Sequence, residues 1–166
     1  MKDDSYQIDI RIRIVIQLPI NHRGDDPWWS RITADINANV EEHEWVTYEK
    51  LARRGHVLYI PAIVNQEDVK NPDVLMDGVF TEIKSPKGDG NKTIINRLRH
   101  ARKQASRVVI DMFRSNLSHE CAVAQINESM RQFSDRLEWV ILIRRDDDTM
   151  MKCNHCGEWE EHHGRI

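Results

Sequence analysis

The 166-residue sequence predicts an α/β fold in which a mixed β-sheet is flanked by helices. Three observations carry this. Asp77-Gly78 separates two short runs rich in β-branched and aromatic residues, 74–76 and 79–84, the strongest short-range signal for a hairpin, because both turn residues must accept positive φ. Val108-Val109-Ile110 is apolar without alternation, as expected of a central parallel strand covered on both faces. Between such runs, apolar residues recur at helical spacing, and strands interleaved with helices build layered α/β domains.

In chain order, Ile8 to Leu18 alternates isoleucine with mostly polar residues, the pattern of a half-buried strand whose Arg11 and Arg13 face water. Pro19 ends it. Asp26-Pro27 reads as an N-cap with proline in the first turn, and Trp28, Ile32 and Ile36 read as a short amphipathic helix. A second helix is expected over about 40–54, with acids first, Arg53-Arg54 last and Gly55 beyond its end, the order that the helix dipole favours. A short strand covers 56–60, and a polar loop leads into the hairpin. Helices are expected at about 93–106 and 118–133, the second with Cys121 toward the core. Strands are expected at 107–112, 138–143 and 149–152.

Composition bounds the function. Charged residues make up 31% and hydrophobic ones 40%, and the net charge is −3, which argues against a protein that coats nucleic acid. Distribution matters more than the sum. Between Lys84 and Arg107 eight cations face one acid, Asp89, a basic strip suited to a phosphate backbone. Its nucleic-acid-binding candidates are Lys87, Lys92, Arg97, Arg99 and Lys103. The loop 85–92, with glycines and exposed amides, can wrap a phosphate but lacks the order of a Walker loop. No apolar run is long enough for a membrane span, and no signal peptide is read at the N-terminus, so a cytoplasmic protein without a membrane role is expected. Three cysteines do not make a disulfide framework.

Chemistry concentrates in 71–104. In a two-residue hairpin, residues pair when their numbers sum to about 155, so Asp73 falls opposite Glu82. Lys84 shares the face of Glu82, and Ile83 points into the other layer. Carboxylates are hard ligands suited to Mg²⁺ or Mn²⁺, and a neighbouring lysine can orient a water or stabilise phosphate charge. Asp73 and Glu82 are therefore metal-ligand candidates, and Asp73, Glu82 and Lys84 catalytic ones. Gln104, at a helical core edge, can lean over the end of the sheet.

Pro72-Asp73 followed by Glu82-Ile83-Lys84 resembles the PD-(D/E)xK nuclease signature. The longer order of hairpin, Gly/Asn/Lys loop, basic helix ending in ARKQA and VVIDM strand is similar to the C-terminal tRNA-nuclease domain of contact-dependent growth-inhibition (CdiA-type) toxins, over roughly 40–143. That resemblance implies a restriction-endonuclease-like fold, a trio of Asp73, Glu82 and Lys84 supported by Gln104, a glutamate from the preceding helix (Glu44 or Glu49), tRNA as the favoured nucleic acid, and an immunity protein as partner. DNA cleavage, a metal-free RNase of the barnase/EndoU/colicin/RelE type, and a non-catalytic nucleic-acid-binding module are the alternatives.

The expected organisation is a nuclease-like domain over 1–152 and a tail over 153–166. In the tail, Cys153, Cys156 and His162 form a candidate zinc knuckle, since CxxC-Gly followed by histidine offers tetrahedral ligands. A disordered tail is the other reading.

Overall fold

The structure is a computed structural model that describes residues 28–66 and 69–164. The strand expected at 8–18 and the Asp26-Pro27 cap lie outside those residues.

One eight-stranded sheet organises the described chain, and its spatial order is the sequence order, β1 to β8. The strands are β1 (Ile32–Ala34), β2 (Leu58–Ile60), β3 (Val74–Met76), β4 (Val79–Lys84), β5 (Arg107–Asp111), β6 (Trp139–Ile143), β7 (Met150–Asn154) and β8 (Trp159–Glu161). Three α-helices make the parallel connections: α1 (Glu42–Arg53) between β1 and β2, α2 (Thr93–Ala101) between β4 and β5, and α3 (His119–Gln132) between β5 and β6. The remaining neighbours pair antiparallel. The mixed α/β class read from the sequence is the class observed.

Side-chain alternation sorts the core into two layers. Val109, Ile141 and Ile143 face Tyr48, Leu51 and Ala52 of α1. Val108, Ile110, Val140 and Leu142 face Ile94 and Leu98 of α2 and Ile126 and Met130 of α3. β5 and β6 are thus apolar on both faces because helices cover both, and each fully buried Leu or Ile contributes about 1.5–3 kcal/mol relative to exposure. The β3–β4 hairpin has the register that the sequence predicts, Met76 opposite Val79 and Val74 opposite Thr81. Asp77 and Gly78 turn it at φ of 53° and 81°.

Under α1, at the end of β5, a polar cluster closes the core. Asp111 is fully buried. Its Oδ1 accepts from Lys50 at 3.1 Å and from the Phe113 N–H at 3.2 Å, and its Oδ2 accepts from the Thr47 hydroxyl at 2.8 Å. Lys50 also reaches Asp148 at 2.7 Å. Burial raises the Asp111 carboxyl above its usual range, with Lys50 and Thr47 pulling against it.

Four expectations need correction. Trp28–Arg31 is one 3-10 turn that runs straight into β1, so Ile32 and Ile36 do not continue a helix; Ile32 is buried in the α1 layer, where pairing with Leu58 offers more than one further helical turn. Cys121 is exposed, because Ser118 caps α3 through the Cys121 N–H and starts the buried stripe at Ala122. α2 ends at Ala101, short of Ser106. The chain from Cys153 onward does not leave the domain as a tail: it completes β7 and returns as β8.

Candidate active site

The hairpin register places Asp73 just before β3 and opposite Glu82, near the end of β4. Asp73 Oδ2 accepts the Ile83 N–H at 2.7 Å, so its carboxylate replaces the missing strand partner and is locked across the ladder. The same oxygen lies 3.3 Å from Lys84 Nζ, which lies 2.5 Å from Glu82 Oε1. Asp73 and Lys84 side chains are 23% and 24% exposed and Glu82 6%. The structure therefore brings together the three residues singled out in the sequence, with Asp73 and Lys84 partly exposed to solvent and Glu82 buried beneath them.

Glu82 Oε2 is buried and has no hydrogen-bond partner. A buried carboxylate oxygen left unsatisfied is costly unless something completes it. Burial raises the Glu82 carboxyl, the negative charge of Asp73 raises it further, and Lys84 and the Asp73 backbone N–H oppose both. Burial alone would lower the Lys84 amine, but Asp73 and Glu82 outweigh that and hold it above its ordinary value. Two acids around one base leave a local deficit of positive charge. A divalent ion would supply it, and the donor set of Glu82 Oε2 and the Asp73 carboxylate is of the hard type that Mg²⁺ or Mn²⁺ prefers.

Helix α1 brings two further residues. Glu44 is half-buried, its carboxyl is raised by burial and by the Asp73 charge, and Oε2 accepts the Glu41 N–H at 2.8 Å. Tyr48, one turn on, is buried with its hydroxyl 3.5 Å from the Asp73 carbonyl, and burial together with Glu44, Asp73 and Glu82 raises its phenol. Tyr48 reads from sequence as plain core; its i,i+4 relation to Glu44 was the signal that it shares the site's face. Glu49 is turned elsewhere, paired to Arg53 at 2.9 Å.

Gln104 is placed after α2 rather than on it, where Oε1 accepts the Asn71 N–H at 3.1 Å. It braces the entry to β3 two residues before Asp73. Lys87, Lys92, Arg97, Arg99 and Lys103 are all exposed. Arg102 and Arg107, from the same basic run, serve structure: one lies 4.5 Å over the Phe133 ring, and the other pairs with Glu138 at 2.8 Å.

The three expected zinc ligands are not brought together. Along β7 alternation sends Cys153 into the core beside Asn127, where burial pushes its thiol up to about 11. Cys156 sits exposed in the turn between β7 and β8, and His162 crosses to His56, Nε2 to Nε2 at 2.8 Å, while His56 Nδ1 meets Asp77 at 2.6 Å. Among the described residues no group of three or more His, Cys, Asp or Glu side chains is placed to hold a metal ion. Nor is any helix among them long and apolar enough to cross a membrane.

Residues 70–149 match the family model of the contact-dependent growth inhibition CdiA C-terminal domain. The fold is similar to that of a chain in a CdiA-CT/CdiI toxin and immunity complex from Burkholderia pseudomallei, with a TM-score of 0.53 and 19% identity, over 78% of this chain and 96% of that one. No curated protein matches the sequence closely enough to count as a relative.

Proposed function

We propose, from the match of residues 70–149 to the CdiA C-terminal domain family, that the chain is a toxin-domain nuclease, a metal-dependent endonuclease of PD-(D/E)xK type that cleaves tRNA. The observation that carries it is the buried Glu82 Oε2, which has no hydrogen-bond partner while Glu82 Oε1 and Asp73 share Lys84.

Asp73 and Glu82 would hold Mg²⁺ or Mn²⁺, which when bound polarises the phosphate and lowers the pKa of a bound water. Asp73 keeps its geometry through the Ile83 N–H, so its second oxygen is fixed without moving at the moment of reaction. Lys84, protonated between two carboxylates, orients the attacking water and stabilises the charge that builds on the phosphate oxygens, rather than acting as a base. Glu44, facing the Asp73 charge, is the acid from α1 that joins the site. Exposed Lys87, Lys92, Arg97, Arg99 and Lys103 contact the backbone. Activity in the cytoplasm of the cell that receives the toxin, and neutralisation by an immunity protein that covers this site, complete the reading; the similar structure is of a toxin and immunity complex, which supports the partner.

The test is incubation of the purified chain with total tRNA and with plasmid DNA, in Mg²⁺, Mn²⁺ or EDTA. Cleavage of tRNA that EDTA abolishes is expected. Cleavage that survives EDTA and leaves a cyclic phosphate would select a metal-free RNase, plasmid cleavage a DNA endonuclease, and binding without cleavage in any metal a binding module.

A further inference from the structure

After β4 the chain runs Ser85-Pro86-Lys87-Gly88-Asp89-Gly90-Asn91-Lys92 into α2, with Pro86 buried and residues 87–92 exposed. An exposed segment with two glycines has much conformational entropy to lose on being fixed. Its backbone is nonetheless tied at two points by buried side chains from elsewhere. Ser115, 1% exposed, donates its hydroxyl to the Gly88 carbonyl at 2.6 Å. Gln125 of α3, 7% exposed, donates Nε2–H to the Gly90 carbonyl at 3.1 Å, and its Oε1 accepts the Ile94 N–H at 2.9 Å. Ser115 is itself held: its Oγ accepts the Leu117 N–H at 3.1 Å, and Arg145 donates to its carbonyl at 3.1 Å.

Among the described residues there is no cis peptide bond, and in a trans peptide the N–H points opposite to the preceding carbonyl. Drawing the Gly88 and Gly90 carbonyls inward therefore turns the N–H groups of Asp89 and Asn91 outward. These two amides, at alternate positions, are left as outward donors that an anion can take, and Lys87 and Lys92 flank them. Asp89 cancels one of those charges, so directed N–H groups matter here as much as net charge does. The first turn of α2 is not the source of the site, because Gln125 already takes the Ile94 N–H.

We propose that residues 87–92 are a pre-shaped cradle for a backbone phosphate of the nucleic acid, neighbouring the one cleaved at Lys84, and that Ser115 and Gln125 are positioning residues that hold its shape. This rests on the nucleic-acid reading above and adds a subsite to it.

Two variants separate the anchors. Gln125→Glu keeps an acceptor for Ile94 and removes the donor to Gly90, whereas Ser115→Ala removes the donor to Gly88. Each is placed in a cleavage-silent Glu82→Gln background, and Kd is read by fluorescence anisotropy on labelled tRNA and labelled duplex DNA between about 50 and 200 mM salt. In the cleavage-competent background kcat and KM are read separately. Kd and KM are each expected to rise about threefold to tenfold, with kcat moving less than about twofold. Thermal melting checks that Ser115→Ala, the more deeply buried change, is folded; if it is not, Gln125→Glu carries the test. An unchanged Kd, or a fall in kcat at constant KM, overturns the cradle, and so does a parent chain that binds no nucleic acid. A parent that binds but never cleaves removes the nuclease reading alone, and the cradle is then decided on Kd.

Discussion

Among the described residues two lysines, Lys50 and Lys84, sit between two carboxylates, and only one of them reads as a site. Lys50 joins Asp111 to Asp148, and both oxygens of the buried Asp111 are satisfied, by Lys50 and Phe113 on one side and by Thr47 on the other. Lys84 joins Asp73 to Glu82, and there a buried oxygen is left over. Both carboxyls are raised by burial, so a shifted acid by itself does not tell function from structure. Completion of the hydrogen bonds does: a closed triad holds elements together, whereas an open one keeps a place for something else.

The comparison can be broken by exchanging the consequences of damage. Lys84→Ala or Glu82→Gln is expected to lower nuclease kcat by about 10²–10³-fold with little change in melting temperature, read by gel cleavage and calorimetry. Asp111→Ala should do the reverse. It leaves Lys50 buried without its inner partner and costs about 3–5 kcal/mol in a denaturant titration, while activity per folded molecule survives; a large kcat loss at full stability would merge the two clusters. Smaller is the contrast on α1. Glu44→Gln should raise the Mg²⁺ needed for half-maximal cleavage about tenfold, whereas Glu49→Gln, which removes only the pair with Arg53, should shift it less than about twofold.

The pH dependence sharpens the same distinction. In the proposed mechanism cleavage needs Glu82 ionised, and its carboxyl lies above the ordinary glutamate range, so the acid limb of a kcat profile should rise at higher pH than a free glutamate would give, and should move down as Mg²⁺ is raised. The smallest effect is expected at the other end of the molecule. His162 is held down to about 4 by burial and by nearby His56 and Lys152, with Glu160 and Asp77 opposing, against an ordinary 6.5. The unfolded chain therefore takes up that proton first. Stability from this contact is full above about 6.5 and is lost as pH falls toward 4. His162→Gln should flatten that part of the denaturation-midpoint profile.

Much of this was legible in the residues. Asp77-Gly78 fixes the hairpin and its register, and register alone carries Asp73, Glu82 and Lys84 to one end of it. The apolar run 108–110 announces a strand covered on both sides. What was not legible depends on distant partners. Trp28 to Ile36 has helical spacing, yet β2 captures Ile32 as a strand residue. Cys153 and Cys156 have a metal-knuckle spacing, but strand alternation buries one and exposes the other. Nothing in VVIDM marks Asp111 as a buried ion-pair partner, since Lys50 and Thr47 come from 60 or more positions away. Tyr48 and the anchors Ser115 and Gln125 are equally silent, because each acts through backbone groups that only folding brings near.

Strands laid down side by side in the order in which they are translated have a kinetic consequence. Each new strand adds to the free margin left by its predecessor, and none has to be threaded between two already joined. Loop closure then stays cheap at every step. A chain stretched out and released can rebuild its sheet from either terminus like a zip, so recovery from full extension should be fast and free of topological traps.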